Sequence, residues 1–208
     1  MRIFRYLSVL IVFIFSQHAV AGSYDDFFRA VRHDDVNTVQ ALLQRGFDAN
    51  TVSPEGLPAI ILAVREPSLK VAEFLAAWPP TRVDQRNEHG ETVLMLAALK
   101  GYREVVNRLV ARRAEVNKEG WTALHYASTG AHLQVMTLLI GAGASIDARS
   151  PNGTTPLMMA AHYGNAAAVK LLLDAGADAQ LKNQLGLAAL DFARGAERTD
   201  TMKLLSHP

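Results

Sequence analysis

The amino-acid sequence predicts an all-α solenoid of about six helix–turn–helix units, on three observations. First, an apolar position recurs at Phe27, Ile60, Leu94, Leu124, Leu157 and Leu190, at spacings of 33, 34, 30, 33 and 33 residues. A fixed period of this length marks stacked units, none of which can bury its apolar face alone. Second, each period holds two short apolar stripes at helical spacing. In the clearest copy these are Leu157, Ala160 and Ala161, then Val169, Leu172 and Leu173. Third, glycines such as Gly143 and Gly176 follow the second stripe, where a helix end needs a left-handed residue.

The chain starts with a segment outside this pattern. "MRIFR" is a short positive stretch, "YLSVLIVFIF" an apolar run, and "SQHAVA" ends in Ala19-Val20-Ala21. That order predicts a secretory signal peptide over 1–21, cleaved after Ala21. The apolar run is too short for the roughly 20 residues a spanning helix needs. Removal of the leader takes away Arg2 and Arg5 from 21 basic residues and none of the 20 acidic ones, leaving a net charge near −1. Such a chain has no electrostatic reason to bind nucleic acid or an anionic membrane, and no stable membrane insertion is expected after cleavage. Cysteine is absent, which excludes disulfides, thiolate metal sites and a cysteine nucleophile. An exported chain held by its core alone fits the bacterial periplasm.

The units run about 24–52, 53–86, 87–117, 118–149, 150–182 and 183–208. The first starts with the polar "SYDD" and fits an end cap. The second closes on "AAWPPTRVD", where Pro79 and Pro80 stop a helix without supplying a left-handed cap, so an irregular junction is expected. Between the third and fourth units three residues are missing. The loss falls in "AEVNKEG", where Asn117 reaches Gly120 almost at once, and this loop should be stunted. In the fifth unit Thr155 is a good N-cap and Pro156 a good first helical residue, while Gly164 breaks the chain before a second helix. Arg194, Glu197, Arg198, Thr199 and Asp200 make the last unit polar outside, as a terminal cap requires.

The residues Gly153, Thr155-Pro156-Leu157, Ala160-Ala161, Gly164, Leu172-Leu173 and Gly176-Ala177-Asp178 together resemble the ankyrin repeat. Gly120, Thr122, Leu124-His125, Ala127 and Gly143-Ala144 match it one unit earlier, and the resemblance covers nearly all of 24–207. It implies an ankyrin-repeat α-solenoid with β-hairpin loops between units. It also implies structural roles for two histidines, His125 as a brace for adjacent loops and His132 at the start of a second helix.

No catalytic constellation stands out. G-x-S-x-G, H-E-x-x-H and P-loop patterns are missing, and His33, His89 and His162 are scattered over different units. Asp25-Asp26 and Asp34-Asp35 read as charges at helix N-termini, not as an acid–base pair. The chain is therefore expected to be neither an enzyme nor the holder of a metal or cofactor.

Ankyrin domains, as a family, bind protein partners through hairpin tips and the concave surface of the first helices. Carried onto this sequence, those positions are Leu57, Arg65 and Glu66 in the second unit, and Glu88, His89, Glu91, Leu99 and Lys100 in the third. The fourth unit offers Lys118, Glu119, Trp121 and Thr129, the fifth Asn152, Thr154, His162 and Tyr163, and the sixth Gln184, Leu185 and Leu187. Trp121 is not dictated by the repeat. It reads either as a partner contact or as a filler of the shortened loop, while Tyr163 reads as a contact. Tyr126, Leu96 and Met159 read as packing between helices. The expected function is an exported, monomeric, periplasmic protein-interaction module. It would be an accessory factor for an enzyme or an immunity protein against a toxin. The alternative is a haem or small-molecule carrier using His162 and Tyr163.

Overall fold

The computed structural model describes residues 22–206; the leader expected over 1–21 lies outside the described residues. These residues form twelve helices, and none is long and apolar enough to cross a membrane. They divide into two compact units, one ending at Thr81 and the other beginning at Arg82.

The first unit contains α1 (22–32), α2 (Val36–Gln44), α3 (Ala59–Arg65) and α4 (Leu69–Ala77). Phe27 is wholly buried, with its ring 4.4 Å from that of Phe47 and 5.3 Å from that of Phe28. The two adjacent aspartates both act on helix starts. Asp35 caps α2 by accepting from the Thr38 N–H at 3.1 Å, and Asp34 accepts from the Val71 N–H in α4 at 2.8 Å. Ala59 to Val64 are all buried, so α3 is apolar all round because it is enclosed all round. α4 ends on Trp78 in an extended conformation, followed by Pro79 and Pro80. The irregular junction expected there is present, and Trp78 stacks on Phe74 with ring centres 5.6 Å apart.

The second unit contains α5 (Val93–Leu99), α6 (Arg103–Ala111), α7 (Ala123–Thr129), α8 (Leu133–Gly141), α9 (Pro156–His162), α10 (Ala166–Asp174), α11 (Ala189–Gly195) and α12 (Thr199–Ser206). The odd-numbered helices pack in a row, α5 on α7 on α9 on α11, and the even-numbered ones in a second row, α6 on α8 on α10 on α12. The recurring leucines explain the rows. Leu94, Leu124 and Leu157 are at most 1% exposed, and burying each such side chain contributes about 1.5–3 kcal/mol. Shortening Leu124 to Ala would cost about 2–5 kcal/mol by the same account.

Small residues set how closely these helices approach. A Cβ on Gly164 would lie 2.7 Å from the carbonyl oxygens of Ala160 and Ser128, so no larger residue fits that bend. Gly176 has φ +92°, the left-handed cap its position calls for. The β-hairpins expected between units are reduced to short turns. Among the described residues the only strand-like pairings are single bridges, Val52 with Pro58 and Arg86 with Thr92. Four or five residues per turn are too few to continue a ladder. The Ser53 and Ser150 turns instead close on two backbone bonds each, Ser53 N–H to Leu57 O and Gly56 N–H to Ser53 O, both at 2.8 Å, and Ser150 N–H to Thr154 O at 2.9 Å with Gly153 N–H to Ser150 O at 2.8 Å.

Candidate functional site

The odd-numbered row of the second unit carries a cleft of about 220 Å³. Leu99 at the end of α5, Trp121 just ahead of α7, His125, Tyr126 and Thr129 on α7, and Met159 on α9 line it. The local sequence fixes most of these side chains. Thr122 is the N-cap of α7, and its N–H donates to His125 Nδ1 at 3.1 Å. With Nδ1 accepting, the neutral ring carries its proton on Nε2, which donates to the Thr154 carbonyl at 3.0 Å. His125 is thus a brace from one unit to the next. Burial holds its pKa down to about 4, so it is neutral at pH 7. With both nitrogens engaged and the ring enclosed, it offers no base to a substrate.

Trp121 lies edge-on to His125, with ring centres 5.2 Å apart. Thr129, also in the lining, turns its hydroxyl back to the His125 carbonyl at 2.9 Å. Tyr126 donates its hydroxyl to Glu91 Oε1 at 2.8 Å. Burial, then the hydrogen bond to Glu91 and its charge, push the Tyr126 pKa well above the usual phenol range. The other oxygen of Glu91 accepts from Asn87 Nδ2 at 2.7 Å, and Asn87 also receives the backbone N–H of Glu91 at 2.9 Å. A carboxylate held by neutral donors therefore sits on the hydroxyl of Tyr126, one of the walls of the cleft.

The shortened loop opens a second feature. A notch of about 550 Å³ is lined by Arg86, Glu115, Lys118, Glu119, Gly120, Arg149, Ser150 and Pro151. Trp121 is not among these residues. The tryptophan leans instead onto its own helix, edge-on to His125.

The other expected positions fall into three groups. Leu57 and Thr154 are corrections, at 7% and 3% exposure. Leu57 closes the Ser53 turn, with its N–H on Ser53 Oγ. Thr154 is tied at its N–H to Ser150 Oγ and at its carbonyl to His125. Neither can meet a partner. Glu88, His89, Asn152, Gln184 and Leu185 stand on turns, with Leu185 80% exposed, and Leu187 follows at 40%. Gln184 is tied to the preceding turn through Pro151 O at 2.8 Å, so that tip is held in place. Arg65 and Glu66 are exposed at the end of α3 in the first unit, and Lys100 is exposed beyond α5 in the second.

His162 and Tyr163 lie ring against ring at 4.3 Å, T-shaped, at the end of α9, with Tyr163 55% exposed. His162 Nδ1 is 3.4 Å from the Phe192 carbonyl. Neither residue lines the cleft at Trp121. Conversely, Tyr126 and Met159 were expected in the packing but are only partly buried and form cleft walls. Leu96, at the equivalent register of α5, is 9% exposed and does pack inside. One register position can be inside or outside, according to the residues of the adjoining units.

A family model described as "Ankyrin repeats (3 copies)" matches residues 27–119, 80–150 and 129–208. The chain belongs to the ankyrin-repeat family. A putative ankyrin repeat-containing protein of Treponema pallidum is 29% identical over 184 residues, covering 83% of this chain and 59% of the relative. The tyrosine-protein kinase Shark of Drosophila melanogaster is 33% identical over 126 residues, 59% of this chain but 13% of the kinase. The chain thus spans only part of the length of these curated relatives. Among solved structures, it resembles a chain in the complex of the Bd0816 predatory endopeptidase from Bdellovibrio bacteriovorus with the immunity protein Bd3460. That match has a TM-score of 0.74 and 28% identity, and it covers 87% of this chain and 96% of the other. Ankyrin repeats are, as a family, typically non-catalytic protein-interaction modules.

Proposed function

We propose that this protein is exported to the periplasm and there binds and restrains a partner enzyme, as an immunity protein does. The carrying observation is the likeness, over 87% of the chain, to a chain in a complex between an endopeptidase and its immunity protein. The leader expected over 1–21 supports export, and the cleft at Trp121 supports a preformed contact surface. Restraint of this kind needs no chemistry from the ankyrin chain. A rigid face occludes the partner, and an aromatic anchor such as Trp121 contributes about 2 kcal/mol or more to holding it there.

Two measurements test the reading. N-terminal sequencing of the protein recovered from periplasm should begin at Gly22; a chain retained in the cytoplasm with its leader sinks the export claim. Purified protein is then titrated into periplasmic extract of a strain lacking its gene, with endopeptidase activity as the readout. Activity should fall, and a Trp121→Ala variant should restrain at least tenfold less effectively. Unchanged activity refutes restraint, and a rise would assign the accessory role instead.

A further inference from the structure

We infer that the cleft at Trp121 receives a single arginine side chain from the partner's surface. The inference rests on the reading of this face as a partner-binding surface, and it states the chemistry of what is bound. Size limits the occupant first. Sites for whole small molecules are about 300–1,000 Å³, and this cleft is about 220 Å³. It has room for one long side chain and not for a helix.

The lining decides which side chain. Leu99 and Met159 suit methylenes, and Trp121 and Tyr126 present aromatic surface. An aliphatic residue would satisfy the walls but leave unused the carboxylate hydrogen-bonded to one of them. Glu91 is not itself a wall; its oxygens are each held by one neutral donor, the wall residue Tyr126 through Oη at 2.8 Å and Asn87 through Nδ2 at 2.7 Å. A carboxylate oxygen has two lone pairs, so each retains one for a further donor. These donors also fix the carboxylate in place, which removes the entropy cost of ordering it on binding. Two fixed oxygens beside aromatic surface match a guanidinium, which donates in a planar fork and stacks on rings. A lysine ammonium would meet Glu91 as a point charge without the stacking.

The test needs no partner enzyme. The indole N–H resonance of Trp121 is followed by NMR in the purified exported protein, with Trp78 in the other compact unit as internal control. The probes are N-acetyl-arginine amide and N-acetyl-citrulline amide, its neutral counterpart of nearly equal shape. Arginine amide should shift the Trp121 resonance saturably and bind at least tenfold tighter than citrulline amide. Glu91→Gln should abolish that difference while leaving the free-state Trp121 resonance and the helical circular dichroism unchanged. Equal binding of the two probes to the wild-type protein, or no saturable shift with arginine amide, overturns the proposal whatever the variant does. The outcome is independent of the extract titration. A protein that binds arginine amide but leaves endopeptidase activity untouched would retain this inference and lose the proposed function.

Discussion

The junctions that lead into α7 and α9 do the same job with different numbers of residues. Each leaves a helix through a left-handed residue, Arg113 at φ 61° in one and Gly143 at φ 85° in the other. Each then places a side chain that clamps the following unit. Asn117 donates to Gly143 O and accepts from the Ser145 N–H, both at 2.8 Å, and Asp147 accepts from the Asp178 N–H at 3.2 Å. From there they diverge. The second makes the Ser150 turn and reaches Gly153, whereas the first goes from Asn117 to Gly120 with three residues fewer. The residue after that glycine is Thr154 in one case, tied to the turn and buried, and Trp121 in the other, laid on the helix face. The deletion removes a turn but keeps the clamp. It exchanges a structural residue for one that can meet a partner.

The largest expected effect comes from cutting the bond that joins the two junctions. His125→Leu would leave the Thr122 N–H buried without a partner and take from the Thr154 carbonyl one of its two donors, the Ser150 N–H remaining. Unfolding in urea should show a loss of about 1–3 kcal/mol at pH 7. The same residue gives the wild-type protein a pH dependence. An unfolded histidine titrates near 6.5 and the folded one at about 4. Between these values the unfolded chain binds the proton and the native one does not, so stability is full above 6.5 and falls as the pH drops toward 4. The total loss from this group is about 3 kcal/mol. The variant should show a flatter profile over that window. An equally steep profile would mean that other groups cause the acid sensitivity.

Much of this was legible before any coordinates. The period gave the paired helices, Thr155-Pro156 gave the start of α9, His125 fell at a bracing position and His132 at the opening of a second helix. His125 reaches Thr154 O, and His132 stands at the N-cap of α8 with its Nε2 2.8 Å from Leu99 O. The contact face was less legible because register alone does not determine exposure. Leu57, Thr154 and Trp121 share one register position and differ in burial, since the first two are tied into a turn that the third lacks. Tyr126 and Met159 share a register with buried Leu96 yet line the cleft. Glu91 was named from its place beside a turn glycine, but its tie to Tyr126 spans 35 residues and left no mark in the local pattern.

Restoring the missing turn tests the comparison more directly. Insertion of Ala-Arg-Ser after Asn117 copies the spacing between Asp147 and Gly153. The helix rows should survive, with a stability change within about 1 kcal/mol, because long-range packing is untouched and lengthening a short loop costs little. Restraint of the partner enzyme should weaken at least tenfold, as Trp121 shifts from the helix face. An inserted protein that restrains its partner as well as the wild type would show that the short junction is tolerated length variation and nothing more.

The smallest effect concerns the residue with which the short junction begins. Arg113 occupies the left-handed conformation that glycine takes at Gly143 and Gly176, and a side chain there costs about 1–2 kcal/mol in contacts between Cβ and its own backbone. Arg113→Gly relieves that cost but returns conformational freedom to the unfolded chain, which offsets about half of it. The net gain should be about 0.5–1 kcal/mol, a rise in Tm of about 2–4 °C. Gly143→Ala, the reverse change at the regular junction, should lower Tm by a similar amount; nothing lies within 4 Å of a Cβ built there, so backbone strain alone would act. Opposite signs at the two sites would show that the junctions share one backbone requirement and differ only in the turn. Equal signs would mean that Arg113 contributes something at the short junction that its backbone conformation does not describe.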